Sequence, residues 1–286
     1  MIVVLGASGR TGQVVARQVR AGSEAVRLVT RSAAIRADEP GVEVVRARLS
    51  DGEELRRAFA GARASYVLLP EELGAQEIHA ERRRWVETLV SALRRAAVEH
   101  VVLLSSRAAA LGETAESGFA RELALLERRL FESVPAVTVL RASYFQDNVL
   151  QAVPTAARDG VYLNCLSETA SVDMTAACDV GEVAARALLR QPRVEKEVVD
   201  VVGPAYSPVE VASALGDLVG RPVSVTFVPP DAREGLFQRW MSREAARALR
   251  ETLDSVSASV ALRGSRCERG ATRLEQVLRA AREVTK

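Results

Sequence analysis

A chain of 286 residues is long enough to bury a sizeable core, and a formal net charge of +2 argues against a nucleic-acid or membrane-surface partner. The three cysteines, Cys165, Cys178 and Cys267, are odd in number and widely spaced, which argues against a disulfide framework or a structural zinc. No run approaches the ~18 apolar residues of a membrane span, and the apolar start stops at Gly6, too soon for a secretory leader, so the expectation is a cytoplasmic protein with reduced thiols.

Short apolar runs alternate with helical patterns as far as residue 202. Residues 2–5 read as a buried strand, 12–21 as a helix, and 26–30 and 42–45 as the next strands. A short helix over 53–60 ends at Gly61, and a fourth strand over 64–69 stops at Pro70. Residues 82–97 form an amphipathic helix with Trp85, Val86, Leu89, Val90 and Leu93 on one face. A strand over 101–104, a helix over 119–133 and a strand over 137–140 follow. Segment 150–175 breaks the rhythm with Pro154 and Gly160. A helix over 179–189 and a strand over 198–202 restore it. After Gly203-Pro204, helices over 208–219 and 232–253 enclose a strand over 223–228. Arginines are frequent beyond 239, but Glu244, Glu251, Glu268 and Glu275 are interspersed, as on a solvated helical face.

Repeated β-α-β units with near-continuous apolar strands imply an α/β fold: a Rossmann-type doubly wound parallel sheet with a smaller C-terminal α/β substrate lobe. The expected division is a main domain over 1–149, with 176–202 returning to its sheet, and a lobe made of 150–175 and 203–286.

The most informative stretch is Gly6-Ala7-Ser8-Gly9-Arg10-Thr11-Gly12, between the first strand and first helix. That context is the one a dinucleotide-binding turn needs. Gly6 permits the tight turn, Gly9 lets backbone N–H groups approach a pyrophosphate, and Gly12 lets the helix pack closely. The helix N-terminus then offers unpaired donors to the anion. The second strand ends at Arg31, where an NAD-binding chain would typically have an acid for the ribose hydroxyls. A guanidinium there suits a 2′-phosphate, so NADP(H) is expected in preference to NADH. Asp51 either accepts from the adenine amino group or caps the following helix, and the sequence leaves both readings open. Leu69, Pro70 and Ser105, at the ends of the fourth and fifth strands, complete the expected cofactor site.

These residues resemble the NmrA-like, atypical branch of the short-chain dehydrogenase/reductases, which includes NAD(P)H quinone reductases, dye reductases and redox-sensing regulators. The resemblance runs through Gly6–Gly12, Thr30-Arg31, Leu103-Leu104-Ser105-Ser106, the stretch from Val139 to Asn148, Asp179-Val180-Gly181-Glu182-Val183-Ala184, and Gly203-Pro204 with Val209-Glu210-Val211-Ala212. It covers about residues 1–228 in order. Two departures stand out: Ala142 occupies a usual proline position, and Leu123, four residues before Glu127, occupies a slot that often holds a Lys or His proton donor.

Tyr-x-x-x-Lys catalysis is excluded, because Lys196 and Lys286 are the only lysines and neither follows a tyrosine at that spacing. There is no GxSxG elbow, HExxH or His/Cys cluster, so neither a serine hydrolase nor a metal site is expected. His79 and His100 read as structural. Hydride chemistry tolerates a thin acid–base inventory, because the cofactor carries the hard step. Tyr144, after the sixth strand, is the leading proton donor, followed by Ser105 and Ser106. Tyr144, Phe145 and Asn148 are expected to line the substrate pocket, with 150–175 as its outer wall.

The expected function is an NADPH-dependent oxidoreductase that reduces a quinone, ketone or conjugated carbonyl small molecule in detoxification or secondary metabolism. The alternative is a non-catalytic NADP(H)-binding redox sensor. A homodimer is compatible with either.

Overall fold

The computed structural model describes residues 1–31, 40–114, 118–191, 193–259, 264 and 266–284. Its main body is built from β1 (Ile2–Leu5), α1 (Arg10–Ala21), β2 (Val26–Thr30), β3 (Val42–Arg46), α2 (Gly52–Phe59), β4 (Ala64–Leu68), α3 (Ile78–Arg95), β5 (His100–Ser106), α4 (Ala120–Ser133) and β6 (Ala136–Ala142). A short strand β7 (Tyr144–Phe145), a 3-10 segment over Gln146–Ala152, α5 (Val153–Asp159), β8 (Val161–Asn164) and β9 (Val172–Thr175) follow. The chain continues through α6 (Ala177–Leu189), β10 (Lys196–Val202), β11 (Ala205–Tyr206), α7 (Pro208–Val219), β12 (Ser224–Phe227), α8 (Pro230–Phe237), α9 (Arg243–Ser259), β13 (Arg266–Arg269) and α10 (Leu274–Val284).

Eight strands form one sheet in the order β13-β10-β6-β5-β4-β1-β2-β3. Every pairing in it is parallel. The order reverses between β1 and β4, which opens a crevice at the carboxyl ends of those strands. Leu55, Trp85, Leu89 and Leu126 pack α2, α3 and α4 on one face, over Val3, Val67 and Leu103. On the other face, Val15, Val19, Val180 and Leu188 pack α1 and α6 on Val4, Tyr66 and Leu140. Buried strands inside a doubly covered sheet explain the unbroken apolar runs in the sequence.

Packing outweighs capping in α3. Its N-cap, Glu77, makes no side-chain capping bond, a deficit of about 1 kcal/mol. Ile78, Val86, Leu89 and Leu93 are completely buried along one stripe, and each contributes roughly 1.5–3 kcal/mol.

Three differences from the sequence reading have physical causes. First, the helix expected over 232–253 is two helices. Ser242 interrupts it: its N–H donates to Leu73 O at 2.9 Å, its hydroxyl donates to Ala75 O at 2.6 Å, and the same oxygen caps Ala245 N at 3.1 Å. Second, β13, expected within the smaller lobe, extends the main sheet beyond β10. Third, segment 150–175 is not irregular. It contains α5, β8 and β9, whose partners are distant: β8 pairs with β12, and β9 lies between β7 and β11. Short strands with remote partners leave no local period.

The second apolar cluster joins Val149, Tyr162, Met174, Tyr206, Leu215, Leu274 and Leu278. A further cluster sets Phe237, Met241, Ala245 and Ala248 of the α8–α9 hairpin against Ile78 and Phe119, with Tyr144, Cys165 and Leu166 at its margin. The hairpin thereby covers the starts of α3 and α4, beside the crevice.

Candidate nucleotide and substrate cleft

The turn after β1 is tight and closed by backbone bonds. Gly6 sits at φ +74°, which favours glycine, and the N–H groups of Gly6 and Ala7 both reach Val29 O at 3.0 and 3.2 Å. A Cβ on Gly12 would lie 2.3 Å from Gly6 O, so α1 closes on the turn itself. Gly181 does the same for α6, where a Cβ would meet Val14 Cβ at 2.6 Å. This contact explains the glycine of the Asp-Val-Gly motif: α6 braces α1. Gly9 differs, since a Cβ there would meet only Gly6 O, at 3.2 Å. Gly9 is the N-cap of α1, which has neither a side-chain capping bond nor an acidic residue in its first turn. Its leading N–H groups therefore keep their capacity for an anion, whereas α2 has Asp51, Glu53 and Glu54 at its start.

The remaining predicted cofactor residues divide. Ser8 Oγ accepts from Thr30 Oγ1 at 3.3 Å, which ties the turn to the end of β2. Thr11 turns inward and accepts from the Tyr66 hydroxyl at 2.9 Å, so its side chain is engaged in the core. Arg10 reaches Asp147, with Nε 3.8 Å from Oδ1. Arg31 is 62% exposed at its side chain and pairs with Glu72 at 2.7 Å, across the crevice from β2 to the loop after β4. Asp51 takes the capping role, accepting from Glu53 N at 3.0 Å and Glu54 N at 2.9 Å through one oxygen. The Leu69 side chain belongs to the core below the crevice. Pro70 presents its carbonyl to the Arg82 guanidinium.

The predicted serines are not free hydroxyls at the cleft. Ser105 is buried and donates to Glu127 Oε1 at 2.5 Å, and Glu127 is held by Arg141 through bonds of 3.1 and 2.6 Å. Ser106 accepts from Ala108 N at 3.2 Å and caps the 3-10 turn that follows β5. Along β7 successive side chains alternate, so Tyr144 and Phe145 part. Tyr144 faces the α8–α9 side, whereas Phe145 packs toward α1 and α6 and does not share the Tyr144 wall. The Asn148 side chain lies near enough to the Tyr144 hydroxyl to influence its acidity. Burial pushes the Tyr144 pKa up to about 12, against the easing effect of Asn148.

Other residues escaped the sequence reading. Asp147 Oδ2 accepts from Ala177 N at 2.9 Å and caps α6 from outside its own segment. Gln146 Nε2 bridges Met174 O at 3.0 Å and Thr272 O at 2.9 Å. Asp179 takes Thr272 N at 3.1 Å and Thr272 Oγ1 at 2.6 Å. These bonds tie the segment after β7 and the turn at Thr272 to β9 and the start of α6. Beneath the cleft, Glu122 is wholly buried with Arg82, Nε to Oε2 3.5 Å, and both its oxygens lie 3.1 Å from His79 Nδ1. Arg82 also donates to Phe119 O at 3.0 Å. Glu71, next to Pro70, is exposed, and its charge acts on both Arg82 and Tyr144. His100 lies at the opposite end of the sheet, bonded to Thr138 at 3.2 Å, with its pKa lowered to about 4 chiefly by burial. Among the described residues, no group of acids, histidines and cysteines could hold a metal, and no helix is long and apolar enough to cross a membrane.

Similar folds are found among solved structures. A nucleoside-diphosphate-sugar epimerase from Staphylococcus aureus matches with a TM-score of 0.75 at 16% identity, over 97% of this chain and 99% of that one. An NADPH-dependent quinone oxidoreductase from Escherichia coli, solved with NADPH, matches at 0.73 and 20% identity, over 98% and 99%. The triphenylmethane reductase of Citrobacter sp., solved with NADP(H), matches at 0.74 and 19% identity, over 98% and 99%. No curated protein matches the chain in sequence. The model of the NmrA-like family matches residues 1–259, and the chain belongs to that family.

Proposed function

We propose that the protein is an NADPH-dependent reductase that transfers hydride to a quinone, ketone or conjugated carbonyl compound. The observation that carries this reading is the uncapped α1 N-terminus at Gly9, with Arg31 standing at the end of β2. The quinone oxidoreductase and triphenylmethane reductase of similar fold, both solved with the phosphorylated nucleotide, support it. When bound, the nicotinamide supplies the hydride. The chain's own residues do the rest. The N–H groups after Gly9 hold the pyrophosphate, and Arg31 takes the 2′-phosphate. The Tyr144 hydroxyl orients the acceptor oxygen, and the α8–α9 hairpin keeps water from the acceptor.

Arg31 is available for that task. Its exposed pair with Glu72 contributes at most about 1 kcal/mol, whereas a charge-assisted bond to phosphate contributes roughly 1.5–3 kcal/mol. Arg31→Asp should therefore weaken NADPH relative to NADH by roughly 10- to 100-fold. Dissociation constants for both nucleotides, measured by quenching of protein fluorescence, check this. An unchanged ratio removes Arg31 from the site.

The sequestered Ser105 hydroxyl and the apolar Leu123 favour a second reading, a redox sensor that binds the nucleotide without chemistry. Steady-state NADPH oxidation across quinones, ketones and dyes decides between the two. Turnover with at least one acceptor is expected. Saturable NADPH binding with no oxidation anywhere in the panel, together with a partner protein that distinguishes NADPH from NADP, would establish the sensor.

A further inference from the structure

Arg10 is the first residue of α1, directly after the Gly9 cap, and a cation is out of place there. The positive end of a helix dipole favours acids and disfavours a guanidinium, and the first turn of α1 holds no acid to offset it. The Arg10 side chain is 58% exposed and meets Asp147 loosely: Nε stands 3.8 Å from Oδ1, and Nη1 reaches Asp147 O at 3.5 Å. Asp147 is its one ion-pair partner among the described residues. Resting on the reading that the turn after β1 takes the nucleotide, we propose that Arg10 exchanges Asp147 for the nucleotide pyrophosphate. Asp147 is then the fixed counter-ion that the pyrophosphate must displace.

The two partners differ in freedom. Asp147 cannot follow Arg10, because its Oδ2 accepts from Ala177 N at 2.9 Å and caps α6. The preceding Gln146 is wholly buried, with its amide nitrogen on Met174 O at 3.0 Å and on Thr272 O at 2.9 Å. Arg10 is free to turn: it is long, mostly in solvent, and held by contacts too long for a strong bond. An exposed pair of that kind contributes little. A phosphate oxygen offers the same guanidinium short, charge-assisted bonds in its own plane. The exchange therefore runs toward the anion.

Helix packing brings the two ends of the exchange together. Gly181 of α6 sits so close to α1 that a Cβ on it would meet Val14 Cβ at 2.6 Å and Thr11 O at 3.1 Å. The start of α6, capped by Asp147, and the open start of α1 therefore stand side by side. A pyrophosphate on the α1 N–H groups lies within reach of Arg10 and close to the Asp147 carboxylate. Asp147 opposes the nucleotide twice: it occupies Arg10 beforehand, and it repels the phosphates once Arg10 has turned. A nucleotide that must leave after each turnover is held less tightly as a result.

Calorimetric titration of the full chain with NADPH and with NADH tests the exchange. Arg10→Met should weaken both nucleotides by roughly 10- to 100-fold. Their ratio should stay unchanged, because both carry the pyrophosphate and the 2′-phosphate is left to Arg31. Asp147→Asn keeps an oxygen for Ala177 N and removes the charge. It should tighten both nucleotides by about two- to fivefold, and most of that gain should vanish in the Arg10→Met background, where no guanidinium is left to release. Arg10→Met alters an exposed side chain, so it tests the assignment whatever Asp147→Asn does to α6. Wild-type affinity in Arg10→Met, or a changed NADPH/NADH ratio there, overturns the exchange. So does an Asp147→Asn protein that binds no tighter, or one that gains equally with and without Arg10. Each of these leaves nucleotide binding at the turn intact. A wild-type protein that binds neither nucleotide overturns that reading and the exchange with it.

Discussion

Gly9→Val should leave the protein folded and raise its dissociation constant for NADPH by roughly 100-fold or more, the loss of one or two charge-assisted bonds of ~1.5–3 kcal/mol each. The structure separates this glycine from its neighbours. A Cβ at Gly9 meets one protein atom, Gly6 O at 3.2 Å, a tight contact that a shift of a few tenths of an ångström relieves, and its φ of −79° is open to any residue. The side chain would instead project where a pyrophosphate must approach the α1 N–H groups. Gly12→Ala is the control for the opposite cause. There the new carbon would lie 2.3 Å from Gly6 O, a backbone atom that cannot swing away. Its cost is in stability, by about 1–3 kcal/mol or more. Calorimetric titration with NADPH and thermal melts of both variants separate the effects. A folded Gly9→Val protein with wild-type affinity would move the nucleotide elsewhere.

Glu122→Leu should cost about 3–5 kcal/mol of stability, the usual penalty for breaking a buried ion pair from one side. Glu122 is 0% exposed and Arg82 1%, so neither can turn to water. Removal of the carboxylate leaves Arg82 with two carbonyl acceptors and only the exposed Glu71 as a counter-charge, and takes away the partner of His79. Burial already lowers the Arg82 pKa against the opposing pull of Glu71 and Glu122. Glu122→Gln keeps the shape and should lose less. Adding Arg82→Met to the Glu122→Leu variant should restore a large part of the loss, because the pair leaves together. Urea unfolding monitored by circular dichroism reads all three. A loss below about 1 kcal/mol for Glu122→Leu would show that water reaches the pair.

The doubly wound sheet was legible in the chain because its signals are local. Buried parallel strands are apolar throughout, the amphipathic helices repeat on one face, and the turn at Gly6–Gly12 needs glycines at fixed spacing whatever lies beyond it. The arginine at the end of β2 was legible for the same reason: its place follows from counting along one strand.

Tertiary structure decided what depends on a remote partner. Ser242 splits a continuous helical pattern because Leu73 and Ala75 take its hydrogen bonds. β13 joins the sheet because β10 has an open edge, and α10 returns to the second apolar cluster. Ser105 and Ser106 looked like candidates for chemistry in a motif read alone, and Glu127 and a following turn occupy them in the fold. Phe145 and Tyr144 pack against different apolar clusters because adjacent residues on a strand face opposite ways. Helix packing around Arg82 buries Glu122, which neither period nor composition marks. Period and composition reveal which face of an element is apolar. The charges that end up enclosed depend on which faces meet, and that is settled only when the chain closes on itself.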